Sequence, residues 1–202
     1  INTLCVRYSS QLKDVESLPK SVTSIIVGQW EFDDMDNTVR QYLDRVVEIR
    51  DVSDNFKNFV DFSIFPSLQF LAFDGDVERF VFPTHKLRRV RVSASDKEKD
   101  FLTILPPKTY ERLDIIYSSF KTMQAARNQN KNPNVHLFCN KIGEGVAPHD
   151  FLPSDSLSNT IRISNGFGEK ELRAFYQKVL IHHNDIDLKF KMKKCKSCDI
   201  SY

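Results

Sequence analysis

Phe65-Pro66-Ser67-Leu68-Gln69-Phe70-Leu71-Ala72-Phe73 is the stretch that decides how this chain folds. A proline is followed by apolar residues at the first, fourth and sixth places of Leu68-x-x-Leu71-x-Phe73. Leu71 and Phe73 are two residues apart, so on a strand they share one face, while Phe70, Ala72 and Asp74 share the other. The same device recurs on both sides. Leu18-Pro19 precedes Val22-x-x-Ile25-x-Val27, and Phe82-Pro83 precedes Leu87-x-x-Val90-x-Val92. Leu105-Pro106-Pro107 precedes Leu113-x-x-Ile116-x-Ser118, Asn132-Pro133 precedes Val135-x-x-Phe138-x-Asn140, and Leu152-Pro153 precedes Ser158-x-x-Ile161-x-Ile163. Ile1-x-x-Leu4-x-Val6 and Asp185-x-x-Leu188-x-Phe190 are copies without the proline, and Val46-x-x-Ile49-x-Asp51 competes with a frame that begins at Leu43.

The first positions of these copies are 19 to 27 residues apart, with a mean of 23. A fixed period of this size signals a solenoid: no unit can bury its apolar face alone, so the units stack and share a core. The expected fold is an α/β solenoid, with parallel strands on the concave face and helices or turns on the convex face. Its core is expected to include Leu4, Val6, Ile25, Val27, Leu71, Phe73, Val90, Val92, Ile116, Phe138, Ile161, Ile163, Leu188 and Phe190. Between strands, helical spacing favours Glu169 to about His182 and Phe120 to Asn128. Asp34 to Leu43, Asp54 to Phe62 and Asp96 to Leu105 read as shorter helices with capping residues at their starts. Val77 to Phe82 reads as extended, and the prolines are expected to fix extended backbone ahead of each strand.

These residues resemble the leucine-rich repeat superfamily, whose core runs L-x-x-L-x-L-x-x-N/C-x-L. Leu18-Pro-Lys-Ser-Val-Thr-Ser-Ile25 is similar to the irregular FNIP and BspA-like branch, with units of the form Leu-Pro-x-Ser-Val-x-x-Leu. Phe, Val and Ile stand for most of the leucines, and Asn140 comes nearest to the asparagine position. The resemblance implies one leucine-rich-repeat-like domain over residues 1–202, about nine repeats long, with 185–202 acting as its cap. It also implies protein–protein recognition on the concave face and carries no catalytic residues with it.

The chain has 202 residues, of which 29 are Lys or Arg and 27 are Asp or Glu, a formal charge of +2. That balance does not favour nucleic acid or a membrane surface. No apolar run reaches the length needed to span a bilayer. The opening residues are already patterned as a repeat, so the expectation is a chain without a signal peptide, trimmed from something longer. Four dispersed cysteines fit a reducing compartment, and the expected localisation is cytoplasmic. No Gly-rich nucleotide loop, acid/base pair or thiol nucleophile with its base is legible, so no enzyme and no cofactor is expected.

Cys195-Lys-Ser-Cys198 has the spacing of a zinc or redox site, with His182 and His183 as conceivable partners. Its simpler reading is a terminal strand with small buried thiols, so no metal is assigned. Cys5 and Cys139 are expected to face the concave side, too far apart to pair.

The repeat frame puts Phe70, Arg89, Arg91, Ile115, Tyr117, Leu137, Arg162 and Lys189 on the outward, concave face, and these are the candidate partner-binding residues. Lys141 and Lys191 fall there too. Aromatic and arginine residues in the middle of a patch are the usual carriers of binding energy. The expected partner is another protein, presenting an acidic or phosphorylated segment, because guanidinium forks match carboxylate and phosphate. The alternative is an anion-binding module that takes nucleic acid or phosphoinositide through the basic C-terminal half, where Lys189, Lys191, Lys193, Lys194 and Lys196 crowd together. RNA stacking would want more aromatics among those cations than Tyr117 and Phe70 supply. A third reading makes the same charges a solvated strand face. The acidic stretches Glu31 to Asp36 and Asp74 to Glu78 lie earlier, so the fold is expected to be electrically polar from end to end.

Overall fold

Ile25 with Val27, Leu71 with Phe73 and Val90 with Val92 are buried pairs two residues apart, each on its own extended strand. A computed structural model of the protein describes residues 2–31, 35–52, 60–74, 80–94, 105–142, 145–151, 162–163 and 169–182. Its main element is an open, wholly parallel seven-stranded sheet. The strands are β1 (Thr3–Tyr8), β2 (Ser24–Gln29), β3 (Val46–Val52), β5 (Phe70–Asp74), β7 (Leu87–Ala94), β8 (Tyr110–Tyr117) and β9 (Val135–Cys139). They pair in the order in which they occur along the chain.

Two short parallel ladders come from other segments. β4 (Val60–Asp61) pairs with β6 (Phe80–Val81), and β10 (Lys141–Ile142) pairs with β11 (Arg162–Ile163). Among the described residues the α-helices are α1 (Asn37–Arg40), α2 (Phe120–Gln129) and α3 (Glu169–His182).

The register sets the core in rows. Leu71, Val90, Leu113 and Val135 lie side by side, and so do Phe73, Val92, Ile115 and Leu137. β3 enters on the frame that begins at Leu43, with Val46 beside Ile25. A register shift then brings Ile49 beside both Val27 and Leu71. An extra residue in one strand re-phases its pairing, and here it serves both reading frames.

The frame read from sequence slips in β8 and β9. Leu87 is opposite Tyr110 and Val90 is opposite Leu113, so the eighth strand runs Tyr110-x-x-Leu113-x-Ile115. The ninth follows as Val135-x-Leu137-x-Cys139, because Leu113 is opposite Val135 and Tyr117 is opposite Cys139. A shift of three residues inverts the face of every side chain on a strand with a period of two. Ile116, although buried, and half-buried Phe138 therefore lie on the face opposite Leu113 and Val135. Cys139 lies in the core, not on the outward face. Leu4 and Val6 are only half-buried, since β1 is an edge strand with one neighbour. Ile161, Leu188 and Phe190 lie outside the described residues.

Large rings fill the layer between the sheet and the connecting segments. Trp30 meets Phe65 edge-on at 4.9 Å, and Phe62 packs beside Phe73 and Phe82 at 6.3 and 6.0 Å. Such contacts add to burial. Pro106 is extended, as expected, while Pro66 and Pro133 each take the second position of a tight turn. The turns are closed by Leu68 N–H to Phe65 O at 3.2 Å and by Val135 N–H to Asn132 O at 3.2 Å. The fixed φ of proline suits that position.

Asp36 caps α1 by accepting from Thr38 N–H and Val39 N–H, which leaves a single helical turn followed by a 3₁₀ turn at Leu43–Arg45. Helix α2 buries Met123, and Arg127 in its last turn donates to the buried Asp150 carboxylate at 2.6 Å. Helix α3 has the bounds its periodicity implies, and its Phe175 packs edge-on against Phe151. The helices expected over Asp54 to Phe62 and Asp96 to Leu105 lie mostly outside the described residues, and the described end of the first, Val60–Asp61, is strand.

Candidate binding face

Because Val90 and Val92 point into the core, Arg89 and Arg91 must stand on the other face of β7. The register then composes that polar face strand by strand. Glu48, Phe70, Arg89 and Arg112 form one row, and Ala72, Arg91, Asp114 and His136 form the next. Ser93, Ile116 and Phe138 form a third.

The centre of the face is Asp114, which is 0% exposed. Arg89 donates to its Oδ2 through Nε and Nη2, both at 2.5 Å, and Arg112 donates to Oδ1 through Nε at 2.8 Å. The two arginine side chains remain 35% and 43% exposed. Arg89 and Arg112 are directly opposite each other across the β7–β8 pair, where like charges repel. The carboxylate that takes a bond from both relieves that repulsion, and the two forks satisfy a charge that would be costly to bury alone.

His136, directly opposite Asp114 on β9, stacks on Phe138 with ring centroids 6.5 Å apart. Burial holds the His136 pKa below the usual value; the positive charges of Arg112 and Arg89 add to this, and the Asp114 carboxylate opposes it. At the other end of the first row Arg50 pairs with Glu48 at 2.5 Å. The face therefore changes from a neutralised pair at β3 to a surplus of guanidinium at β7 and β8, with Phe70 between them.

The candidate residues separate into three groups. Phe70, Arg89 and Arg91 come together on this face, all half-buried. Ile115 at 0%, Tyr117 at 7% and Leu137 at 7% exposure belong to the core, because their strands follow the shifted frame; they are not surface residues. Arg162 is not in the seven-stranded sheet: it pairs with Lys141 in the β10–β11 ladder. Lys189 and Lys191, with Cys195, Cys198 and His183, lie outside the described residues, while Cys5 is exposed on β1.

Arg112, Asp114 and His136 were missed. The step from Leu87 to the next copy is 26 residues when read to Leu113 but 23 when read to Tyr110, equal to the mean period. That regularity was the available signal, and it puts Arg112 and Asp114 in phase with Arg89 and Arg91.

Among the described residues no group of His, Cys, Asp or Glu could hold a metal ion, and no helix is long and apolar enough to cross a membrane. No protein-family model matches the sequence, and neither a curated protein nor a solved structure matches it.

Proposed function

We propose that this chain is a leucine-rich-repeat-like solenoid acting as a non-catalytic protein-interaction module, with the polar face of its parallel sheet as the concave recognition surface. Parallel strands paired in chain order support the solenoid, as does the short parallel β4–β6 ladder built from connecting segments. The ninth position of the repeat supports it as well. Ser9, three residues beyond Val6, is fully buried, and its hydroxyl accepts from Glu31 N–H at 3.0 Å, tying one unit to the next. In the corrected frame Ser118 and Asn140 take the same position, and Val135-x-Leu137-x-x-Asn140 has the spacing of the family pattern.

The observation that carries the function is the composition of one open face. Two partly exposed arginines are held by a buried carboxylate, with Phe70 beside Arg89. Ordered arginine and aromatic side chains lose little entropy on binding and dominate interface energetics. The test is partner capture by the intact chain against a Phe70→Ser variant, after circular dichroism has established that both fold. A partner retained by the native chain and lost from the variant is the expected result. The same partners on both would move the surface elsewhere.

A further inference from the structure

We propose that the contact point of this face is a phosphoryl group on an extended segment of a partner protein, received by the Arg89 and Arg112 guanidiniums. The inference rests on reading the face as an interaction surface and names its ligand chemistry. One carboxylate bonded to two guanidiniums leaves this trio with a net positive charge, although the two arginines sit where like charges repel. Asp114 uses two of the five N–H donors of Arg89 and the Nε–H of Arg112, so both forks keep further donors on partly exposed side chains. They are also aligned in advance, because the buried carboxylate fixes both Nε groups. A phosphoryl group brings three acceptor oxygens and nearly two negative charges, enough to engage two forks at once and to neutralise the surplus. A single carboxylate brings half of that charge.

The rest of the segment has a course to follow. The row leads from Arg112 through Arg89 to Phe70 on β5, which offers apolar contact. Beyond it, Glu48 is already neutralised by Arg50 and neither adds to nor repels the bound charge.

The test uses arrayed peptides with a central phosphoserine, each alongside its Ser and Glu counterparts, and vesicles containing phosphoinositide. The intact chain should bind a subset of the phosphopeptides at least about tenfold more tightly than either counterpart. Arg112→Lys, which keeps the charge and loses the fork, should lower that preference by a comparable factor. A wild-type measurement serves if the variants fail to fold: inorganic phosphate should raise the His136 pKa, followed by its ring resonances, because a dianion beside it offsets the two arginines. No phosphate-dependent peptide binding, equal binding of the Glu peptides, binding to vesicles alone, or an unmoved His136 would each overturn the proposal. A partner still lost from the Phe70→Ser variant would then leave the interaction reading standing, whereas capture unaffected by that variant would remove it separately.

Discussion

Asp114 organises the polar face of the sheet from a buried position. Its carboxylate is buried and bonded by two cationic forks, and removing it leaves Arg89 and Arg112 facing each other with nothing between them. Breaking a fully buried pair costs several kcal/mol, but both arginines here are more than a third exposed and partly screened. Asp114→Asn is therefore expected to destabilise the protein by about 2 kcal/mol. Arg89→Ala alone should cost less, because Arg112 still satisfies the carboxylate. Adding Arg89→Ala to Asp114→Asn should recover stability by removing one of the two repelling charges. Urea midpoints for the three variants check this, and a double variant weaker than Asp114→Asn would show that the carboxylate does not hold the arginines apart.

At the scale of the element, β8 has buried side chains on both faces from Leu113 through Tyr117, in contrast to the alternation along β7. Ile115 and Leu137 sit in the row that continues Phe73 and Val92, and Tyr117 in the row that ends at Cys139. Truncating such side chains leaves cavities in a packed interior. Ile115→Ala and Leu137→Ala are expected to cost about 2–4 kcal/mol each, and Tyr117→Ala at least as much. Phe70→Ala, on the polar face, should cost about 1 kcal/mol, since its ring is only partly withdrawn from water. Thermal or urea unfolding of the four variants separates the two faces, and a mild effect of Ile115→Ala would return that residue to the surface. Local alternation does not place Ile115 and Tyr117, because Leu113, Ile115 and Tyr117 in one phase compete with Ile116 in the other, and pairing with β7 selects the first.

For the whole molecule, strands paired in chain order each lean on their neighbours in the sheet, so stability is expected to be graded across it. β5, β7 and β8 each have a strand on either side and fully buried rows. β1 has one neighbour, and its Leu4 and Val6 are half-buried. Amide hydrogen exchange should therefore be slowest in β7 and β8 and fastest in β1, with a gradient between them. Equal protection in β1 and β7 would mean that the sheet opens only as one unit.

The amino-acid sequence by itself determined the spacing of the apolar copies, the strands β1, β2, β5 and β7 and the pair of core side chains in β2, β5 and β7. It also determined helix α3 and the outward position of Arg89 and Arg91. Each of these follows from local rules: two-residue alternation, helical spacing and the turn chemistry of proline. Tertiary structure decided between the two phases of β8 and β9, and it alone decided the bulge that reconciles two frames in β3 and the company Asp114 keeps. The physical reason is that a strand with apolar residues in both phases is assigned a face only by the neighbour it pairs with. The meeting of Arg89, Arg112 and His136 around one carboxylate joins three strands up to 47 residues apart in sequence, which no local pattern encodes.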